Sequence, residues 1–186
     1  MPVKQMVVDA KSRMRGTVDT LLREMATMRT GRASVSMLDG IRLDYYGTPT
    51  PLNQVGNLAV PDATLITLQP WDPSLLPAIE RAIRTSDLDL NPQNDGKIIR
   101  IPVPALTEER RRNLVKVAHK HAEEARVAVR NVRRDANEHL KKLLKEHDVS
   151  EDDEKHALSE VQKMTDQHIE EINAALKKKE AEIMEV

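Results

Sequence analysis

Apolar residues recur at spacings of three and four through the first thirty positions: Val7, Ala10, Met14, Val18, Leu21, Met25 and Met28. That spacing predicts an amphipathic helix with one face packed in a bundle. Gly16 sits inside it, and close approach by a neighbouring helix is the expected reason for a glycine there. The same period returns after Thr107, where Ala118, Ala122, Ala125, Val129, Val132, Ala136, Leu140 and Leu143 share one face. No Gly or Pro occurs from Ala105 onward. Thr107 is the expected N-cap of a helix running to about His147, roughly 60 Å at 1.5 Å per residue. His147-Asp148-Val149-Ser150 reads as a turn. Ser150 then caps a third helix, with Glu151, Asp152, Asp153 and Glu154 at its positive end. Its inner face is read as Ala157, Val161, Met164, His168, Ile172, Ala175 and Ile183. Three long helices with a short last connection predict an antiparallel bundle.

The period changes between these segments. Five of the six glycines and nine of the ten prolines lie between Gly31 and Pro104. Ile41–Tyr45 alternates like a strand, and Val55–Val60, Thr64–Gln69 and Lys97–Ile101 are further strand candidates. Gly47-Thr48-Pro49-Thr50-Pro51 reads as a turn or extended arm, with Pro61-Asp62 and Asp95-Gly96 as turns. Asp72-Pro73 marks an N-cap with proline at the first helical position. A short helix follows over Leu75, Leu76, Ile79, Ala82 and Ile83. The expected fold class is α+β: a three-helix bundle from residues 1–30 and 106–186, interrupted by a small β/α/β domain at 31–105, an open sandwich or barrel. Thr30, Gly31 and Arg32 lead out of the bundle, and Val103, Pro104 and Ala105 lead back. These six residues are the expected hinge.

The net charge of −1 conceals a segregation. Residues 106–147 carry twelve basic and seven acidic side chains, whereas residues 148–186 carry five basic and twelve acidic. Within the positive segment, Arg126, Arg130, Arg133, Asn137 and Lys141 fall on one stripe, roughly 120° from the apolar one. Arg130 and Arg133 have no acidic residue three or four positions away in either direction. Arg126, Arg130 and Arg134 repel one another at i,i+4. Guanidinium groups at this density suggest a polyanionic partner. The competing reading pairs them across the bundle with the acidic third helix, and Arg134 has Glu138 at i+4 for a structural partner. Arg29 and Arg32 add positive charge beside the hinge.

Other chemistry is scarce. The chain has no cysteine, so disulfides, thiolate nucleophiles and sulfur-ligated metal are excluded. No Gly-rich phosphate loop and no His-Glu-x-x-His run occurs, so neither nucleotide hydrolysis nor a metal site is expected. The expectation is a protein that is not an enzyme and has no cofactor. His168 reads as a packed core histidine. Aromatics amount to 2% of the chain, which argues against single-strand binding by base stacking. The first residues, Met1-Pro2-Val3-Lys4-Gln5, lack an apolar signal core, and no apolar run approaches the ~20 residues that span a bilayer. A cytoplasmic, monomeric protein is expected. Two other classes compete with this reading, a coiled-coil scaffold or chaperone and a membrane-surface amphipathic protein. The second lacks a spare apolar face.

Several runs together resemble the bacterial ribosome recycling factor family: Arg29-Thr30-Gly31-Arg32-Ala33-Ser34, Leu38-Asp39-Gly40-Ile41, Tyr45-Tyr46-Gly47-Thr48-Pro49-Thr50-Pro51-Leu52, Pro104-Ala105-Leu106-Thr107-Glu108-Glu109-Arg110-Arg111, and the arginine helix from Ala125 to Asn137. The resemblance spans essentially the whole chain. It implies an L-shaped molecule of transfer-RNA-like dimensions with a mobile elbow. It also implies binding to the post-termination ribosome, on large-subunit ribosomal RNA at the inter-subunit face. Elongation factor G and its GTP hydrolysis would then drive dissociation into subunits and release from mRNA. The resemblance implies that Arg29, Arg130 and Arg133 belong to the ribosome-binding surface, the arginine helix adds Arg126 and Arg134 as candidate ribosome-binding residues, and the smaller domain is the part implied to meet elongation factor G. Trp71 is expected in that domain's core.

Overall fold

The computed structural model describes residues 3–185. The N-terminal run read above begins with Met1 and Pro2, which lie outside them. The chain separates into two compact units. One joins the chain up to Met28 with the chain from Glu108 onward, and the other is Arg29–Thr107.

The first unit is three helices, α1 (Val3–Thr27), α4 (Glu108–Lys145) and α5 (Glu151–Met184). All eight apolar residues read as the inner face of α4 are buried. Cross-helix pairs give the directions. Arg13 meets Asp135 and Glu24 lies by His121, so α1 and α4 are antiparallel. His119 meets Glu180 and Arg126 meets Asn173, so α4 and α5 are antiparallel as well. Ser150 caps α5 as expected, its Oγ accepting from the Asp153 N–H at 3.1 Å. His147 takes φ +60 in the connection. On α5, Leu176 is buried and Ala175 only half-buried. Thr165 and Lys179 also enter the inner face. Thr165 satisfies its hydroxyl on the Val161 carbonyl, and the Lys179 ammonium reaches Glu182. His168 is buried, with Nδ1 2.6 Å from the Met164 carbonyl oxygen.

Gly16 corrects the expectation of close helix approach. It is exposed, and a Cβ built there would meet nothing within 4 Å. The glycine therefore costs helix propensity without a packing return. Gly16→Ala should stabilise the bundle by about 0.5–1 kcal/mol. A raised urea midpoint of the helical circular-dichroism signal checks this, and a lowered midpoint would contradict it.

The second unit holds β1 (Arg42–Tyr45), β2 (Thr48–Pro51), α2 (Leu52–Val55), β3 (Gly56–Asp62), β4 (Leu65–Pro70), α3 (Leu76–Arg84), β5 (Gln93–Asn94) and β6 (Ile99–Pro102). β1 and β2 form a hairpin, and the other strands form an antiparallel sheet in the order β3-β4-β6-β5. The sheet is open, not a barrel, and both β layers share one core with α3. Leu43, Leu52, Ile66, Leu68, Ile79, Ile83, Ile99 and Ile101 are its buried centre. Of the Gly47–Pro51 segment, read as a turn or extended arm, Gly47 lies in the turn and Thr48–Pro51 is the extended strand β2. β2 is paired on one side only, where a missing N–H is tolerated. Pro61 and Asp62 belong to the irregular end of β3, and the turn falls at residues 63–64. Asp72 caps as read, its Oδ1 accepting from the Ser74 N–H at 2.9 Å, with Pro73 in a single 3-10 turn before α3. Trp71 is not in the core: it is 71% exposed. Aliphatic side chains fill that core without it.

Candidate nucleic-acid interface

α4 positions four of the five arginines because its opposite face is committed to the bundle. The 3.6-residue period then leaves Arg126, Arg130, Arg133 and Arg134 toward the outer side. Their surroundings differ in a graded way. Arg126 is the most sheltered, its side chain 19% exposed. Its Nε donates to Asn173 Oδ1 on α5 at 2.9 Å, and a terminal nitrogen donates to Glu123 at 2.9 Å. Arg130 is exposed and reaches the other Glu123 oxygen at a long 3.4 Å. Arg133 is half-buried and donates to Gln162 Oε1 on α5, also at 3.4 Å. Arg134 is exposed and makes no ion pair or hydrogen bond among the described residues, so the expected pairing with Glu138 is not formed.

Two sequence readings change here. Arg130 does have a carboxylate partner, at i−7 rather than i±3 or i±4. Two helical turns bring Glu123 to the same stripe, which a search limited to one turn missed. The alternative that α5 neutralises the stripe also fails. The α5 groups that meet Arg126 and Arg133 are the neutral amides Asn173 and Gln162. The α5 acids engage elsewhere, Glu171 with Arg15 and Glu180 with His119. Asp135 is likewise taken by Arg13 from α1. Arg126 and Arg133 are thus oriented from α5 by amides, which add no countercharge.

Glu123 is the one engaged acid on the stripe among the described residues. The Arg126 hydrogen bond, followed by the charges of Arg126 and Arg130, holds its carboxyl below the ordinary value. A carboxyl lowered in this way keeps its ion pairs above the ordinary carboxylate range and loses them only as pH falls through the lowered value. At neutral pH one carboxylate is ion-paired with these arginines, and Glu138 lies beside them without an ion pair among the described residues. Arg130, Arg133 and Arg134 are brought together with Asn131, Asn137, Glu138 and Lys141 around one shallow depression on α4. Asn131 is the lining residue that the sequence reading did not name.

Arg29, Thr30, Gly31 and Arg32 follow α1 in the chain and Val103, Pro104 and Ala105 precede α4, so Arg29 and the six residues expected as a hinge all lie in the 29–107 unit. Arg29 is exposed and makes no hydrogen bond or ion pair among the described residues. Thr30 is half-buried, and Arg32, Pro104 and Ala105 are exposed. Val103 is buried, its N–H donating to the Thr64 carbonyl at 2.7 Å. Gly31 has φ +78, and a Cβ there would sit 2.7 Å from Leu106 Cγ. The two linking segments therefore pack against one another at a position where only glycine fits. Among the described residues no cluster of three or more His, Asp or Glu could hold a metal. No helix among them is long and apolar enough to cross a membrane.

Fold and surface define a two-unit α+β protein with an oriented, largely unneutralised arginine face on one long helix. The family model described as ribosome recycling factor matches residues 21–184. The ribosome-recycling factor of Nitratidesulfovibrio vulgaris is 55% identical over 186 residues, covering 100% of both chains. That of Clostridioides difficile is 56% identical over 176 residues, covering 95% of each. A solution structure of a ribosome recycling factor superposes with a TM-score of 0.78 at 45% identity, covering 100% of this chain and 99% of that one. A second structural match has a TM-score of 0.63 at 44% identity and covers 99% of this chain and 100% of that one. It comes from models of the T. thermophilus ribosome recycling factor and the E. coli elongation factor G bound to the E. coli post-termination complex. The chain belongs to the ribosome recycling factor family.

Proposed function

We propose that this protein binds the post-termination ribosome through ribosomal RNA and, with elongation factor G and GTP, promotes dissociation into subunits and release from mRNA. The observation that carries the RNA contact is the run of α4 arginines that share a single ion-paired carboxylate, Glu123, while the α5 groups that meet Arg126 and Arg133 are neutral amides. Arg126, Arg130, Arg133 and Arg134, with Arg29 beyond the end of α1, are the proposed contacts. Guanidinium forks suit phosphate oxygens, and a rigid helix holds several of them in register, so contacts form together. Recognition of this kind reads the shape and backbone of folded RNA, not its base sequence. The relative described together with elongation factor G on the post-termination complex supports the choice of ribosome and motor.

The chain lacks a nucleotide-binding loop, so the work of splitting is assigned to the GTPase partner. In this proposal the motor acts on the 29–107 unit, and Thr30-Gly31-Arg32 and Val103-Pro104-Ala105 are the joints. A monomer working in the cytoplasm, where its target is, completes the reading. The test is light scattering of purified post-termination ribosomes. Adding the protein with elongation factor G and GTP should cause a fall in scattering as subunits separate. No fall beyond that with elongation factor G and GTP alone would overturn the proposal.

A further inference from the structure

The three aromatic side chains of this protein, Tyr45, Tyr46 and Trp71, are all exposed, and Tyr46 is the most exposed at 84%. Tyr46 and Gly47 form the two-residue turn between β1 and β2, with φ values of +50 and +82. Two successive positive φ values make a type I′ turn, whose first position favours Asn, Asp or Gly. A bulky aromatic in the left-handed region is an outlier. Chain geometry alone would place asparagine there. The Tyr46 ring meets Tyr45 edge to face, with centroids 4.6 Å apart. That contact props the ring up without covering it. A strained, propped and exposed ring at a hairpin tip gains the fold little, and such local conflicts concentrate at functional positions.

The charge nearby decides what the ring meets. From Leu43 to Glu80 the chain has no Lys or Arg, yet it holds Asp44, Asp62, Asp72 and Glu80. Stacking of a nucleic-acid base would need a cationic groove beside the ring, and this segment supplies no cation. Arg42 lies at the far end of β1, opposite Pro51 and away from the turn. A ring face does attract ammonium and guanidinium groups, and the exposed carboxylate of Asp44 stands two residues before it. We infer that Tyr46, braced by Tyr45, is a docking contact for a protein partner that presents a lysine or arginine to the ring. Resting on the function proposed above, that partner is elongation factor G.

The experiment compares wild type, Tyr46→Asn, Tyr46→Phe and Asp44→Lys in the splitting assay while elongation factor G is titrated. Ribosome affinity without elongation factor G and urea stability are measured alongside. Tyr46→Asn should raise the elongation factor G concentration for half-maximal rate at least about 10-fold, a loss of about 1.4 kcal/mol. Its ribosome affinity and stability should match or exceed wild type, because asparagine suits the turn. Tyr46→Phe keeps the ring and should stay within about 2-fold of wild type. Asp44→Lys should weaken the response in the same direction as Tyr46→Asn. An unchanged elongation factor G dependence for Tyr46→Asn overturns the inference, and so does lost ribosome affinity or lost stability in that variant. An unchanged response for Asp44→Lys overturns the cationic partner. If wild type itself gives no elongation-factor-dependent splitting, the functional reading fails instead, which separates the two failures.

Discussion

Arg133→Glu is expected to weaken ribosome binding by on the order of 10- to 100-fold, the worth of one charge-assisted hydrogen-bonding group lost to phosphate. Three effects act together. The guanidinium is removed, a like charge is placed against phosphate, and the new carboxylate stands at i+3 from Arg130, where it would neutralise that residue too. The fold should tolerate the change. Arg133 is only half-buried, and its one partner, Gln162, can hydrogen-bond a carboxylate through its amide nitrogen. Thermal unfolding should therefore shift little while binding falls. Equilibrium binding to ribosomes at fixed salt checks the prediction. Wild-type affinity in this variant would remove Arg133 from the interface.

The second large effect concerns a glycine in the smaller unit. Gly56 is buried at the start of β3 and pairs with Pro70 on β4. Its φ of −173 is ordinary extended backbone, so conformation does not demand glycine there. Space does. A Cβ would lie 2.5 Å from the Gln69 carbonyl oxygen and 2.8 Å from Pro70 Cα. Both are backbone atoms that cannot rotate away, so the β3–β4 pair must part. Gly56→Ala is expected to destabilise the 29–107 unit by about 2–3 kcal/mol. Amide hydrogen exchange at Leu68 and Ile99 should accelerate accordingly, while the core of α4 keeps its protection. Unchanged protection in the sheet would contradict the close approach. Gly56 and Gly16 look alike in sequence, and substitution by alanine should move stability in opposite directions.

That contrast shows where sequence reading succeeds and where it stops. The inner face of α4 was legible residue by residue, because an unbroken 3.6-residue period over 38 residues admits one amphipathic solution. Helix starts with a chemical signature, such as Ser150 before four acids, were legible too. Polar residues on an inner face were not. Thr165 and Lys179 enter the core of the bundle because each satisfies its polar end locally, and hydropathy does not record that. Trp71 was misplaced because rarity of aromatics says nothing about burial. β2 was legible only as a turn or extended arm, because proline reads as a turn residue until the neighbouring strand is known to lie on one side only.

The arginine face was half legible. Its composition and stripe follow from the helical period. Its orienting groups, Asn173 and Gln162, lie 47 and 29 residues away in sequence and become neighbours only through the antiparallel packing of α4 on α5. The competing reading turned on this point. An acidic helix beside a basic stripe suggests mutual neutralisation, yet the residues at the contact positions are amides. Glu123 was overlooked because its reach to Arg130 spans two turns.

The proposed function has several guanidinium groups gripping ribosomal phosphates together. Its most direct measurement is the ribosome affinity of the wild-type protein across a series of salt concentrations. Three to five arginine–phosphate contacts predict a log–log slope of about −2 to −4.5, since each releases roughly 0.7–0.9 of a counterion. Arg133→Glu should make that slope shallower by about one. An affinity that stays flat as salt rises, with the same flat line for the variant, would contradict a phosphate grip by this helix.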